Sequence, residues 1–375
     1  MASTRTGIAA ILGLALAVSA IVLADSARAH RGVFARAGDP GEPTGARLAL
    51  DAPIPDTVPA GVTLTIGDPT TQRVLEYTGW DKALPFKVRW AQISGGPAVT
   101  EAFHAKALDV GSAADIPPIH AIWVGIPVKI IAVRLRQDPQ AHPLYMLAVA
   151  PHANVRNLDD LRGKRIAFSP GQVQGEVVLR SLEAAHLTRA DVKLVELPST
   201  GADLYINALV GGLVDVAPIA PGPAARRYVE NYGAEGARLI PHSAVRDDLT
   251  DLYVRTETLE DPGKAAALRA YVKVWARASA WVAAHPDEWA RLYYVKNQGL
   301  SEDEARYAVQ TSGQPDVPAT WDTAIALEQG SVDLMARETR QKPFSATSLF
   351  DRRFEPVTAQ AFARERGAGA QLAAR

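Results

Sequence analysis

The chain has 375 residues, with 40 Lys and Arg against 41 Asp and Glu, and no cysteine. That length accommodates two domains of ordinary size. The near-zero charge, with no basic run, gives no footing for a nucleic-acid partner or a polybasic membrane contact. The missing thiols exclude a disulfide, a lipid-attachment cysteine and a thiol nucleophile.

Residues 1–29 differ in kind from the rest. Arg5 supplies a positive start, "IAAILGLALAVSAIVLA" (8–24) is uncharged and apolar, and "ARA" (27–29) is a small-x-small cleavage site. These predict a secretory signal peptide cut after Ala29. With no cysteine to oxidise, a periplasmic location is favoured. Residues 30–62, rich in Gly, Pro and charge, show neither strand nor helix periodicity and predict a linker or loosely draped arm.

From residue 63, short β-branched runs alternate with helical segments. Predicted strands include "LTIG" (64–67), "KVRWAQI" (87–93), "DVGS" (109–112), "VKIIAVRL" (128–135), "YMLAVA" (145–150), "RIAFS" (165–169), "VKLVEL" (192–197), "VDVAPIA" (214–220), "ARLI" (237–240) and "DLYVR" (251–255). The intervening segments carry helix signals, such as Pro97 just inside a start and a glycine pair closing "ADLYINALVGG". Beyond residue 262 the pattern is helical, with a capping box at Ser301 and Glu304.

This order predicts an α/β, bilobed architecture with two α/β lobes, a two-crossing hinge and a helical C-terminal part. Residues 63–147 plus 245–345 form lobe I, 148–244 form lobe II, and 346–375 form a C-terminal tail. The crossings fall near 147–151 and 240–250. Ligands in such sheets bind at the C-terminal ends of strands, in the cleft.

Five strand-to-helix corners are candidates to face that cleft. They offer Thr70, Thr71 and Gln72; Ser94, Gly95 and Gly96; Ala114 and Asp115; Ser169, Gln172, Gln174 and Gly175; and Ala220 and Pro221. The first N–H groups of a helix lack internal partners and carry partial positive charge, so such corners suit an anion. Every α/β protein has turns of this kind, and it is the number of corners that points to a site. Asp115 fits helix capping first and contact with a ligand amine or hydroxyl second. Arg134 or Arg136, ending a strand, could reach a sulfonate, carboxylate or phosphate bidentately, against the commoner solvated arginine. Trp90, Trp123 and Tyr145 could wall an apolar pocket or pack in the core.

No catalytic residue is assigned. The eight histidines include no pair at metal-ligand spacing, and neither G-x-S-x-G nor a phosphate-binding Gly-rich loop is present. No metal and no cofactor is expected.

Three long stretches, "QISGGPAVTEAFHAKALDVGSAADIPPIHA", "NVRNLDDLRGKRIAFSPGQVQGEVVLRSLEAAHLTRADVKLVEL" and "ALVGGLVDVAPIAPGPAA", with "LTIG" at the start of the domain, resemble the periplasmic substrate-binding proteins of ABC importers of the nitrate, sulfonate and taurine type. The resemblance covers roughly residues 63–300. It implies the type II periplasmic-binding-protein fold and ligand contacts at Thr70, Thr71, Gln72, Ser94 to Gly96, Ala114, Asp115, Gln172 to Gly175, Ala220 and Pro221. It also implies a small organic anion, sulfonate-like or related, as ligand and inner-membrane ABC permease subunits as partners, with the chain acting as a monomer. This sequence departs from the family pattern at "GQVQGE", which lacks the Ser and His often found there, and at Ile219 and Ala220, where a Trp or an acid is usual. The alternatives are an enzyme on the same scaffold, desulfinase-like or pyrimidine-precursor-synthase-like, and a ligand-sensing partner of a membrane receptor.

Overall fold

The computed structural model describes residues 47–373 except Ser94 and 199–201. Residues 1–29, where the sequence predicts a signal peptide, and residues 30–46 lie outside the described residues.

The first α/β run comprises β1 (Thr63–Gly67), α1 (Pro69–Thr78), β2 (Lys87–Trp90), α2 (Gly96–His104), β3 (Val110–Ala114), α3 (Ile116–Trp123) and β4 (Val128–Arg136). A second run follows, with β5 (Met146–Val149), β6 (Arg165–Phe168), α4 (Val173–Ala184), β7 (Lys193–Glu196), α5 (Ala202–Val210), β8 (Val216–Ile219), α6 (Pro223–Tyr232) and β9 (Arg238–Ile240). The chain then returns through β10 (Thr250–Arg255), α7 (Thr256–Glu260), α8 (Pro262–Ala284), α9 (Pro286–Trp289), α10 (Glu302–Ser312), β11 (Pro315–Asp316), α11 (Asp322–Thr339) and α12 (Glu355–Ala373).

Two sheets result, ordered β11-β4-β10-β3-β1-β2 and β7-β6-β8-β5-β9. In the first, β1 runs parallel to β2 and β3, while β10 is antiparallel to β3 and β4. In the second, β5 is antiparallel to its neighbours β8 and β9. The C-terminal ends of β1 to β4 therefore share one edge, where β10 begins, and those of β6 to β9 share another, where β5 begins. The two crossings join these edges. This is the α/β, bilobed periplasmic-binding-protein fold.

The strands form where apolar, mostly β-branched runs are covered on both faces. Ile130 to Val133 of β4 are fully buried in a row. Helix starts are set by side chains. Asp68 caps α1 through the Thr71 N–H, Asp261 caps α8 through the Lys264 N–H, and the Ser301–Glu304 box forms as the sequence predicts.

Three boundaries differ from the sequence reading. β5 pairs within the second sheet from Met146, so the first crossing runs through 137–145 rather than 147–151. The described part of the arm, 47–62, has no regular element but is held. The Leu48 N–H donates to the Glu260 carbonyl at 2.7 Å, Arg353 donates to the Ala52 carbonyl at 2.7 Å, and Ile54 is buried. The C-terminal stretch is no loose tail, since α12 packs along α8, and Phe350, Phe354 and Phe362 are buried. Its Ala- and Arg-rich composition hides three widely spaced aromatic anchors. No helix among the described residues is long and apolar enough to cross a membrane.

Candidate anion-binding site

Arg134 lies near the C-terminal end of β4, opposite Thr250 at the start of β10. Among the described residues its guanidinium has no ion pair and no hydrogen-bond partner. Its nearest aromatic contact is Trp275, whose ring centroid lies 5.8 Å from the guanidinium carbon. Burial weakens its hold on the proton, while the nearby Asp68 charge opposes that loss. Asp68 is already engaged, accepting from the Thr71 N–H at 3.2 Å and the Tyr271 hydroxyl at 3.1 Å. A desolvated cation without a close counter-ion is costly unless something else meets it.

That guanidinium opens onto a cavity of about 340 Å³, lined also by Thr70, Thr71, Thr250, Trp289 and Tyr294. Thr70 and Thr71 come from the first turn of α1. Arg136, two residues along β4, donates to the carbonyls of His142 and Pro143, which leaves Arg134 as the cation without such partners. The far wall is aromatic. Trp289 and Tyr293 stack with centroids 4.4 Å apart, and Tyr294 meets Trp289 edge-on at 6.5 Å. Tyr293 and Tyr294 sit on a π-helical turn, 290–295, which re-aims successive side chains.

The other predicted residues gather where the lobes touch. A Cβ on Gly96 would fall 2.4 Å from the Pro117 ring and 2.7 Å from Gln172 Nε2, so Gly96 and Gln172 are juxtaposed across the lobes. Gly175 is required by close approach within lobe II, because its Cβ would lie 2.2 Å from the Ser169 carbonyl oxygen. Ser169 lies beside Tyr205, whose hydroxyl donates to the Leu197 carbonyl at 3.4 Å. Gln174 keeps its side-chain oxygen buried with no partner among the described residues.

Asp115 turns away from the cavity. Its Oδ1 accepts from the next residue's N–H, Ile116, at 2.9 Å, and its Oδ2 lies 2.8 Å from the Ser331 hydroxyl. Ser331 also lies 2.7 Å from Glu176 of lobe II. Asp251 of β10 and Glu328 of α11 are buried close by, and their four carboxyl oxygens have no partner among the described residues. Burial above all pushes the Asp115, Asp251 and Glu328 carboxyls well up, and like-charged neighbours add to the shift of Asp115 and Glu328.

The fifteen candidate residues thus divide. Thr70, Thr71 and Arg134 share the cavity. Gln72 is buried beside it but bonded to Glu76 and Gln92. Gly95, Gly96, Gln172, Gln174 and Gly175 belong to the first and second lobes' facing corners, with Ser169 behind them. Ala114 ends β3 opposite Thr250. Ala220 is exposed and Pro221 half-buried beyond the end of β8, away from the cavity lining. Ser94 lies outside the described residues. Trp90 and Trp123 pack against the core rather than lining the cavity, with Trp123 donating to the Lys342 carbonyl. The sequence reading passed over Trp289, Tyr293 and Tyr294. Their i, i+4 and i+5 spacing was a usable signal, hidden by the unforeseen π turn.

Comparison with known proteins gives a consistent picture. Residues 79–289 match the family model described as NMT1/THI5 like. A putative aliphatic sulfonates-binding protein of Escherichia coli (strain K12) is 30% identical over 107 residues, 28% of this chain and 32% of that protein. The matched stretch is thus about a third of that relative's length. Among solved structures, the alkanesulfonate-binding protein SsuA from Xanthomonas axonopodis pv. citri, bound to MOPS, superposes with a TM-score of 0.64 at 19% identity, over 78% of this chain and 99% of that one. The desulfurization enzyme DSZB shares the fold at 17% identity and a TM-score of 0.54, over 81% and 99% of the two chains.

Proposed function

This chain belongs to the NMT1/THI5-like family, and we propose that it is the extracytoplasmic solute-binding protein of an ABC importer. It captures a small organic anion and delivers it to a membrane permease. The observation that carries this reading is Arg134, a desolvated cation with no ion pair among the described residues, facing a cavity at the edge where the crossings join the lobes. The anionic head, sulfonate-like or related, lies against Arg134 and Thr70. A carbon skeleton lies against Trp289 and Tyr294, since a wall of stacked rings rewards apolar contact that an inorganic anion does not offer. The sulfonate-binding relatives support this ligand class. The periplasmic location is supported by the leader-like residues 1–29, and the monomer by the sequence resemblance.

The fold also serves the enzyme DSZB, so architecture alone does not separate binder from catalyst. The chemistry of this chain favours the binder. The chain has no cysteine to serve as a thiol nucleophile.

The test is isothermal titration of the purified protein with nitrate, ethanesulfonate, octanesulfonate, benzenesulfonate and the matching carboxylates. Binding of an organic anion at micromolar strength, lost in Arg134→Ala, is the expected result. If none of these anions binds more tightly than millimolar, the proposal fails.

A further inference from the structure

Asp115, Ser331 and Glu176 form a chain of oxygens that bridges the lobes. Asp115 starts α3 in lobe I, Ser331 sits on α11, and Glu176 lies in the first turn of α4 in lobe II. The Ser331 hydroxyl is 2.8 Å from Asp115 Oδ2 and 2.7 Å from Glu176 Oε1. The two carboxyl groups are also within hydrogen-bond reach of each other. A hydroxyl carries one hydrogen and can donate to only one of them. With both acids ionised, one short oxygen–oxygen contact would hold no proton and would be repulsive.

One arrangement satisfies every atom. Arg180 pairs with Glu176, donating to its Oε1 from Nε at 3.3 Å and Nη2 at 3.2 Å, so the proton is assigned to Asp115 instead. Ser331 donates to Glu176. Asp115 keeps its proton and donates it from Oδ2 to Ser331, while Oδ1 accepts from the Ile116 N–H. When the lobes separate, Glu176 leaves. Ser331 is then free to donate to an ionised Asp115 at the N-terminus of α3, where negative charge is favoured.

We propose that lobe closure in this protein takes up one proton, held by Asp115 in an interlobe latch with Ser331 and Glu176. The surrounding groups agree with this assignment. Asp251 from β10 and Glu328 from α11 face Asp115, both buried on lobe I elements, and the Glu176 charge pushes the Glu328 proton affinity up in the same direction as that of Asp115. Tyr145 of the first crossing stays neutral under burial. His120 of α3 faces Gly171, and desolvation holds it below its usual range. The other charged links between the lobes among the described residues are the ion pairs of Arg337 with Glu183, Arg226 with Asp303 and Arg227 with Glu304. Burial and the Glu176 charge both push the Asp115 proton affinity up in the joined state. Closure and any binding that depends on it therefore weaken as pH rises.

The purpose of the latch rests on the binding-protein reading, but its test needs no solute. The chain has no native cysteine, so spin labels at Val124→Cys and Leu213→Cys, exposed sites on lobes I and II, report the interlobe distance alone. Dipolar distance distributions of the full, unliganded protein are recorded from pH 5 to pH 8. The closed-to-open ratio is expected to fall by up to about tenfold per pH unit within the linked range, and to become flat in Asp115→Asn and in Glu176→Gln. Each amide can complete the oxygen chain without an added proton. A wild-type distribution unchanged across this range overturns the proposal, as does a slope that persists in both variants. If the labels respond to pH while no anion binds, the latch stands and the solute-binding reading falls.

Discussion

The Asp247 carboxylate accepts the backbone N–H of Tyr145 at 2.7 Å, tying the second interlobe crossing to the first. The same carboxylate accepts from the Leu144 N–H at 2.8 Å and lies 3.2 Å from His242 Nε2. Asp248 adds a bond from the Arg136 N–H. The hinge is therefore a pair of irregular segments clasped by acids rather than two free linkers. Asp247→Ala leaves two half-buried N–H groups without their acceptor and should cost about 1–3 kcal/mol. Urea denaturation, with an unchanged slope, measures it. A loss below about 0.5 kcal/mol would show that water replaces the carboxylate.

Removing Arg134 should separate binding from stability. Arg134→Ala should weaken anion binding by about 2 kcal/mol or more. The unliganded protein should stay within about 1 kcal/mol of wild type, since only the Trp275 contact is lost. Arg134→Lys keeps the charge but not the planar fork and should fall between. Thermal melts with and without octanesulfonate read both quantities. Equal ligand-induced shifts in all three proteins would place the anion elsewhere.

The buried acids set a pH trend. Asp251 and Glu328 have folded-state proton affinities raised by burial. Above an unfolded value of about 4, the folded state binds more protons than the unfolded state, so stability falls as pH rises toward the raised values. Glu328→Met removes a carboxyl with no partner among the described residues and should stabilise by about 1–3 kcal/mol at pH 8. The gain should shrink at pH 5, where the wild-type carboxyl is neutral. Denaturant midpoints at the two pH values decide this, and a wild-type midpoint that rises with pH contradicts it.

Gly175 and Gly96 should fail differently when replaced by alanine. At Gly175 the new methyl meets backbone of its own lobe, the Ser169 carbonyl, and overpacking should cost about 1–3 kcal/mol of folding stability. At Gly96 it meets Pro117 and, across the cleft, Gln172. Gly96→Ala should therefore shift the interlobe distance distribution toward longer values as well as lowering the melting point. A Gly96→Ala distribution identical to wild type would show that the Gln172 side chain simply swings aside.

Phe354 tests the C-terminal segment. It is fully buried, and Asp351 just before it bonds the Ile130 carbonyl of β4. Phe354→Ala should cost about 3–5 kcal/mol, read from the denaturant midpoint. A surface-like change below about 0.5 kcal/mol would mean the segment is dispensable.

The α/β alternation and all five corners were legible, because Gly, Pro and Asp mark strand-to-helix turns locally. Asp68 before Pro69 and Gly95 before the helix of Pro97 announce themselves within a few residues. The partnerships were not legible. Ser331 and Asp115 are 216 positions apart, and a serine within a helical repeat carries no sign of its acceptor. Asp115 caps α3 through the Ile116 N–H, one of its two sequence readings, while its second oxygen goes to Ser331, which the sequence did not show. Phe350, Phe354 and Phe362 were lost in an Ala- and Arg-rich stretch whose average hydropathy suggested a tail.

The packing of α12 on α8 fixes an order of assembly. Lobe II is continuous and has all its strands once residue 240 has emerged. Lobe I opens with β1 yet is closed by Phe350 and Phe354, near the end of the chain. The interrupted lobe must wait for the last residues while its inserted neighbour is already complete. A chain shortened within its final 25 residues would thus present a finished lobe II joined to a half-built lobe I, a species that a folding or export quality check could recognise by its uncovered β4.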